Sequence, residues 1–390
     1  MLFSQKIIQA LENKKVQFHL AQEGSLQSLG LLDSIFQEVT NLSKLELAEK
    51  LSDTAWPGAR PTSEQDDQPL IIPFGHSWDN HQQARAWAKE VLTDVATFCA
   101  DGSQISLGHD INVPVGVVQI GWFENHHVNS PQGSYCKDTL VEVLSPADLS
   151  GDESGFADLE VEWRRFRGEL EQAKRFMLSQ AGRKALAMVD GSLVISFISQ
   201  LRPERQESYI QAVEQLLAVS RETQVPMVGF IDSSYATDLV SMLLNTQRES
   251  GRARISDAGF LSQHMNHWGD RSRIYECARD DNVLSFGKGK YYPEIHFTYL
   301  QTTTDHPPAR IEMPSWILES GQHEWVLDVL RADCVVGTGY PYTIETADAV
   351  AVLSTHDREQ FTKIFQNFME REKIPLRFSR KSISKRMRRE

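Results

Sequence analysis

The tripeptide Asp-Gly-Ser occurs twice in this chain of 390 residues, each time directly after a mostly apolar stretch: ATFCA precedes Asp101, and ALAMV precedes Asp190. Such stretches predict buried strands, and a carboxylate that ends a buried strand is costly unless a partner compensates its charge. A divalent cation is one such partner, since hard cations prefer carboxylate oxygens. The alternative is a plain turn, in which each aspartate accepts hydrogen bonds from nearby backbone N–H groups.

Strand-like and helix-like segments alternate along the chain. Helices are predicted over residues 79–99, 156–180 and 204–220, because apolar residues recur there at helical spacing. A buried strand is predicted from Ala185 to Ile198, with an interruption at Gly191, and another over residues 226–231. This order predicts an α/β fold in which helices flank a mixed β-sheet.

The sequence predicts four parts. Residues 1–55 read as an N-terminal helical region, and residues 56–75, which contain several prolines and acids, as a linker or surface loop. Residues 76–375 form the predicted main domain. Residues 376–390 form a basic C-terminal tail, interpreted either as a phosphate-binding segment or as a solvated, disordered end.

The net charge, the apolar runs and the cysteine spacing limit the functions that are compatible with this chain. The net charge of −13 argues against a protein that simply coats DNA with basic residues, so any nucleic-acid contact must use a local basic groove, a metal or a partner. No apolar run is long enough to predict a membrane span. The four cysteines show no CxxC spacing, which indicates free thiols and a cytoplasmic location.

A third acidic position lies in the predicted helix over residues 156–180. Glu169 and Glu171 are two residues apart, so they point to different faces, and one of them can face the sheet. The alternative is an exposed helix with ordinary Glu–Arg pairs. Carboxylates around a pair of Mg²⁺ or Mn²⁺ ions suit phosphodiester hydrolysis. The sequence has no GxSxG, HExxH or Walker motif that would favour another chemistry.

Several motifs together resemble the NurA family of repair nucleases, in the family's order from about residue 95 to the end. They are ADGSQI, ALAMVDGSLV, VPMVGFI, ISDAGFL, GDRS, ARIEMPSW, GTGYPYTIETADAVAV and HDREQF. The resemblance implies an RNase H-like fold and makes residues 76–375 a NurA-like nuclease domain. It also implies a homodimer, Mn²⁺-dependent (or Mg²⁺-dependent) cleavage of DNA, and work beside a HerA-type hexameric ATPase in DNA end processing and double-strand break repair.

The resemblance also assigns roles to single residues. Asp101 and Asp190 match the family's two acidic motifs and would be metal ligands. Glu169 best matches the helical glutamate between them, with Glu171 as the fallback ligand.

Two further positions follow near the C-terminus. Tyr340 matches the family tyrosine near the site, although GYPY is also compatible with a tight turn in which the ring merely packs. Asp348 stands where many relatives carry a histidine. An aspartate can bind a metal but cannot act as an imidazole.

Three functions are therefore compared. The first is an active metal-dependent deoxyribonuclease, an exonuclease and/or single-strand endonuclease, whose basic groove would include Arg271, Lys288, Lys290 and the tail. The second is a catalytically weak or inactive NurA-like scaffold subunit of a HerA-type complex, which a lysine or arginine inserted among the acids would favour. The third is another metal phosphohydrolase that acts on nucleotides or phosphoproteins.

Overall fold

The computed structural model describes residues 3–107, 111–128, 134–149, 156–248, 255–279 and 291–377. The chain divides into two compact units. Unit 1 comprises Met1–His76 and Ile231–Ser315, and unit 2 comprises Ser77–Phe230 and Trp316–Glu390. Among the described residues, none of the helices has the length and apolar character needed to cross a membrane.

Unit 1 combines helices with short antiparallel strands. Its helices are α1 (Ser4–Glu12), α2 (Lys15–Thr40), α3 (Lys44–Lys50), α4 (Glu64–Asp67), α9 (Asp238–Thr246) and α10 (Asp257–Leu261). Its strands are β1 (Gly58–Pro61), β2 (Ile71–Ile72), β8 (Arg271–Ser272), β9 (Tyr275–Ala278), β10 (Ile295–Leu300) and β11 (Ala309–Pro314). β10 pairs with β8, β9 and β11, and the outer strands β1 and β2 pair with β9 and β8.

The N-terminal helical extension predicted from the sequence is confirmed by α1–α3. The end of α2 packs into the core of unit 1, where the rings of Phe36 and Phe260 meet edge to face at 5.1 Å. The earlier part of this extension is exposed over its described side chains, including Phe3, Ile8 and Phe18.

The stretch 56–75, interpreted from its prolines as a linker or surface loop, instead contributes β1, α4 and β2 to unit 1. Long-range contacts hold this stretch, among them strand pairing with β8 and β9 and an ion pair. Glu64 in α4 is buried, and its Oε1 lies 2.6 Å from Nη2 of the buried Arg271 in β8. A pairing partner so distant in the chain is not visible in the local composition.

Unit 2 is built around five strands. They are β3 (Ala96–Ser106), β4 (Gly116–Asn125), β5 (Tyr135–Leu144), β6 (Ala185–Asp190) and β7 (Met227–Ile231). The accompanying helices are α5 (His81–Leu92), α6 (Pro146–Leu149), α7 (Phe156–Ser179), α8 (Pro203–Thr223), α11 (Ser315–Glu319), α12 (His323–Val336), α13 (Tyr342–Ala351) and α14 (Thr355–Arg371).

The strand order in unit 2 is β5-β4-β3-β6-β7. β3, β6 and β7 run parallel, whereas β4 is antiparallel to both β3 and β5. Counted from β3, this is the order 3-2-1-4-5 with only the second strand reversed, the arrangement of an RNase H-like sheet. α7 and α13 both contact β3 and β4. The predicted mixed sheet flanked by helices is confirmed. The strand predicted from Ala185 to Ile198 ends at Asp190, however, and a 3₁₀ helix (Ser196–Gln200) follows it.

The helix predicted over residues 79–99 is shorter in the structure. α5 begins after Asn80, whose side chain accepts from the N–H groups of Gln82 and Gln83, and it ends at Leu92. Asp94 then adopts a positive φ of 59°, and the chain enters β3 at Ala96. The apolar spacing continues past Leu92, but pairing with two neighbouring strands determines the conformation from there on.

α13 is fixed at its beginning by a buried hydrogen-bond network. The carboxylate of Asp333 in α12 accepts from the backbone N–H of Thr343 at 2.9 Å and from its hydroxyl at 3.1 Å. The hydroxyl of Thr343 also lies 2.9 Å from that of Thr97 in β3. This network joins two helices to the central strand and so positions the residues that follow along α13.

Candidate active site

The two Asp-Gly-Ser acids lie on neighbouring parallel strands. Cys99 in β3 is opposite Met188 in β6, so Asp101, two residues further along β3, is level with Asp190. Asp190 is the last residue of β6 and is exposed. Asp101 is half-buried and does not end its strand, because β3 continues in its pairing with β4. The structure thus brings these two predicted site residues together.

Glu169 reaches the same place from α7. A Cβ atom built on Gly102 would lie 2.5 Å from Oε1 of Glu169 and 2.5 Å from Cγ of Arg165. The carboxylate of Glu169 therefore lies directly over the backbone beside Asp101, in space that only a glycine leaves open. Gly168 acts in a similar way, since its Cβ would lie 2.8 Å from Cγ1 of Ile120. The two glycines allow α7 to approach the sheet closely.

Tyr340 contacts the acids through Asp190. Its hydroxyl donates to Oδ1 of Asp190 at 3.1 Å, and its ring packs edge to face on Phe230 at 5.2 Å. The turn before it is tight, because a Cβ on Gly337 would lie 2.0 Å from the carbonyl oxygen of Tyr340. Both sequence interpretations therefore apply: the segment is a turn with a packed ring, and its hydroxyl also reaches a site acid.

Asp348 lies on α13 and is exposed. The pKa of the Asp101 carboxyl is raised, first by burial and then by the negative charges of Asp348 and Asp190, while Arg165 opposes the shift. Asp348 is therefore close enough to act electrostatically on Asp101. Strand alternation explains the arrangement, because Asp101 and the residue opposite it, Gly121, share the sheet face that contacts the end of α13.

Glu169 is the most strongly perturbed of these acids. Burial raises its pKa to about 8, Arg165 opposes this rise, and the charges of Asp101 and Asp190 add to it. Its Oε1 atom is buried and has no hydrogen-bond partner. An ionised carboxylate in such a place needs a proton or a cation to offset its cost.

The structure does not bring Glu171 into this cluster. Its Oε1 lies 2.7 Å from Nζ of Lys174 on the same helix, and its side chain is more exposed than that of Glu169. The sequence argument that the two glutamates point to different faces agrees with this arrangement. Of the two candidates, Glu169 is the one beside the aspartates.

A family model for the NurA domain matches residues 95–353, which is more than half of the chain. The chain belongs to the NurA domain family. This membership supports a nuclease-type role. The matched region contains Asp101, Glu169, Asp190, Asp348 and Tyr340. A comparison of the sequence with curated proteins finds no match.

Solved NurA structures are also similar to this chain. A crystal structure of NurA with manganese has 9% sequence identity and a TM-score of 0.43, and the match covers 70% of this chain and 89% of that one. A crystal structure of NurA bound to dAMP and manganese has 10% identity and a TM-score of 0.36, with coverage of 67% and 85%.

The acids of this NurA domain are of the kind that binds a divalent cation, but among the described residues Asp101, Glu169 and Asp190 do not bring one oxygen each within 4.8 Å of one another. Asp101, Glu169 and Asp190 come from three different elements, and each offers the oxygen ligands that Mg²⁺ and Mn²⁺ prefer. The buried Oε1 of Glu169 without a hydrogen-bond partner is the atom that such an ion would satisfy. The raised pKa values of Asp101 and Glu169 have the same cause, because the buried negative charges are not fully compensated.

Arg165 is the residue whose place in the site the sequence did not reveal. Its Nη1 lies 3.7 Å from Oε1 of Glu169 and donates to the carbonyl oxygen of Gly102 at 3.2 Å. The spacing of Arg165 and Glu169 is also that of an ordinary Glu–Arg ion pair on an exposed helix, so the sequence alone does not distinguish the two arrangements. This pair differs from an ordinary surface ion pair because both side chains contact Gly102 of β3, and the sequence of the helix alone does not show such a contact.

The prediction that Arg271 lies in a basic groove is wrong. Arg271 is buried and paired with Glu64, so it cannot follow a phosphate backbone at the surface. Lys288, Lys290 and residues 378–390 of the tail lie outside the described residues.

Proposed function

We propose that the chain is a metal-dependent deoxyribonuclease, an exonuclease and/or single-strand endonuclease that hydrolyses phosphodiester bonds. The observation that carries this proposal is that Asp101 and Asp190 lie level on neighbouring parallel strands of an RNase H-like sheet, with the carboxylate of Glu169 over the adjacent Gly102. The orphaned Oε1 of Glu169 supports it further. A cluster of carboxylates that lies partly open to solvent suits metal ions that act on a water molecule and a phosphate group.

In this proposal Asp101, Glu169 and Asp190 hold Mn²⁺ or Mg²⁺. The bound ions supply Lewis-acid stabilisation of the phosphate and lower the pKa of a water molecule. Tyr340 orients Asp190 by donating to its Oδ1 atom. Asp348 adds negative charge on the open side of the site, where it can attract a cation or accept a proton from water.

The wider setting comes from the family resemblance. We propose that the protein acts on DNA as a homodimer beside a HerA-type hexameric ATPase, in DNA end processing and double-strand break repair in the cytoplasm. Residues 95–353 would then be the core of a nuclease domain that extends over about residues 76–375.

The test is cleavage of end-labelled single- and double-stranded DNA with Mn²⁺, with Mg²⁺ and with EDTA. We expect metal-dependent cleavage by the natural protein and its loss in Asp101→Ala and Asp190→Ala. Phosphate release from nucleotides is followed in parallel. Cleavage that persists in EDTA or in both variants would overturn the proposed site, and release from nucleotides without DNA cleavage would indicate a different phosphohydrolase.

A catalytically weak or inactive scaffold subunit is the second candidate, and two observations favour it. Arg165 places a guanidinium 3.7 Å from Glu169, and Asp348 stands where many relatives have a histidine. Calorimetric titration with Mn²⁺ separates the two functions. The nuclease requires binding that is lost in Asp101→Ala, whereas a scaffold whose acids are neutralised by Arg165 binds no Mn²⁺ there.

A further inference from the structure

Phe197 is an exposed aromatic residue in a segment that is otherwise anchored in the core. It lies in a short 3₁₀ helix, Ser196–Gln200, seven residues after Asp190 (197 − 190). Its neighbours Ile195 and Ile198 are fully buried, yet Phe197 is 61% exposed. Leaving a phenyl ring in water forfeits the free energy of its burial, so the position calls for an explanation.

The ring is held from one side by other aromatic residues. It meets Tyr209 of α8 at 5.6 Å with an interplanar angle of 86°, and Phe166 of α7 at 6.2 Å and 72°. Both contacts are edge to face. Within the described part of the chain, no ring is stacked parallel on Phe197. The ring is therefore fixed in orientation while much of its surface remains available to a flat group.

This ring is linked to the candidate active site through α7. Phe166 directly follows Arg165, which contacts both Glu169 and the backbone of Gly102. The seven-residue connection from Asp190 spans at most about 24 Å even if fully extended. Phe197 therefore lies within a few nucleotides of a phosphodiester bound at the acids.

Positive charge continues beyond the ring. A pocket of about 430 Å³ beside the end of the 3₁₀ helix is lined by Arg202, Arg205 and the acidic Glu204, together with Leu159, Gln200, Leu201 and Ser208. Arg205 is partly balanced by Glu160, whose Oε2 lies 2.7 Å from its Nη2. On a chain with a net charge of −13, these two arginines offer guanidinium groups to the phosphates of a polyanion, with Glu204 and Glu160 as the acids beside them.

We propose that Phe197 is a base-stacking residue for single-stranded DNA. A base near the scissile phosphodiester stacks on the ring, and the strand continues past Arg202 and Arg205. An exposed aromatic ring beside arginines is the usual means of holding single strands without reading their sequence. This inference rests on the proposed nuclease function and names the form of DNA that the site holds.

The experiment measures binding of a labelled single-stranded oligonucleotide to the full chain, in an Asp101→Asn background that prevents cleavage. Phe197→Leu keeps apolar bulk against Tyr209 and Phe166 but removes the aromatic face, and Phe197→Trp keeps that face. We expect Phe197→Leu to weaken binding about five- to a hundredfold and Phe197→Trp to retain it. Phe18→Ala is the matched control, since Phe18 is 60% exposed on α2, and it should bind as before.

A second arm removes bases instead of the ring. Oligonucleotides that carry one abasic position each are bound first to the protein with Phe197 intact, which requires no variant at this position, and then to Phe197→Leu. We expect one position to reproduce the loss, and Phe197→Leu to cause no additional loss with that oligonucleotide, as in a double-mutant cycle. Equal binding by Phe197→Leu and Phe197→Trp, or losses that simply add, would overturn the proposal.

The two proposals fail in different ways. The natural protein could cleave no DNA with Mn²⁺ while the losses from Phe197→Leu and from the abasic position are not additive. In that case base stacking on Phe197 is supported and the nuclease function is wrong. If cleavage depends on Asp101 and Asp190 but Phe197→Leu binds single strands normally, the nuclease stands and base stacking is wrong. Tighter binding of duplex DNA than of single strands, with the same loss on substitution of Phe197, also contradicts stacking of an unpaired base.

Discussion

The carboxylate of Glu169 lies 2.5 Å from the position that a Cβ atom on Gly102 would occupy. The glycine of the first Asp-Gly-Ser motif is thus explained by its contact with Glu169 of α7, which lies 67 residues later in the chain (169 − 102). The glycine is required by space and not by a turn, because β3 continues through it.

Substitution of Gly102 by alanine should therefore damage the site more than the fold. The atoms that must move are in the flexible side chains of Glu169 and Arg165, so the protein should fold while the carboxylate is displaced. We expect at least a tenfold loss of Mn²⁺ affinity, about 1.4 kcal/mol, measured by calorimetry. Gly30→Ala in α2 is the control, because its new Cβ meets nothing within 4 Å and should leave affinity unchanged.

Tyr340→Phe should weaken cleavage moderately. The change removes the hydroxyl that donates to Asp190 but keeps the ring against Phe230. A single hydrogen bond contributes about 0.5–1.5 kcal/mol, so we expect a decrease of about three- to tenfold in kcat/KM. Tyr342→Phe two residues later is the control. Equal rates for the natural protein and Tyr340→Phe would show that the hydroxyl does not support the site.

Asp348→Asn should reduce the affinity for Mn²⁺ several-fold. The reason is electrostatic: Asp348 is one of the negative charges that raise the pKa of Asp101, and the same charge attracts a cation. Glu359→Gln on α14 removes an exposed acid elsewhere and serves as the control. Unchanged or stronger Mn²⁺ binding by Asp348→Asn would argue against a role for Asp348 in the site.

The buried Asp333 should make stability depend on pH. Burial raises its pKa from 3.8 to about 6, against the hydrogen bonds from Thr343. Because the pKa in the folded state lies above that of the unfolded chain, this group contributes most stability below pH 3.8 and loses it as the pH rises through about 6.

Asp333→Asn removes this titration. The amide oxygen of the asparagine can still accept from the backbone N–H of Thr343, and its amide N–H can donate to the hydroxyl of Thr343, which then donates to Thr97. We therefore expect the natural protein to lose about 1 kcal/mol relative to Asp333→Asn between pH 5 and pH 7. Urea unfolding followed by tryptophan fluorescence measures this difference. A difference that stays constant over the same pH range would contradict the assignment.

The sequence predicted those parts of the site that depend on local pattern. Asp101 and Asp190 follow apolar runs, and the parallel pairing of β3 and β6 then brings them level. For the glutamate on the helix, the sequence left two candidates, Glu169 and Glu171. A helix sequence shows that these two side chains lie on different faces of the helix, but it does not show which of them faces the sheet.

Long-range contacts account for what the sequence did not predict. Arg271 was placed in a surface groove because it is basic, but its buried partner Glu64 lies 207 residues away in the chain. Arg310 and Glu312 in β11 are a second buried charged pair, and Nε of Arg310 lies 2.7 Å from Oε1 of Glu312. Burial of charged pairs follows from tertiary packing, which composition does not encode.

The most direct test of the central claim compares two conservative variants on one helix. Cleavage of end-labelled DNA with Mn²⁺ is measured for the natural protein, Glu169→Gln and Glu171→Gln. Only Glu169 lies over Gly102 beside Asp101, whereas Glu171 pairs with Lys174. We predict that Glu169→Gln abolishes metal-dependent cleavage and that Glu171→Gln cleaves like the natural protein. Equal activity of the two variants, or loss in Glu171→Gln alone, would contradict the proposed site.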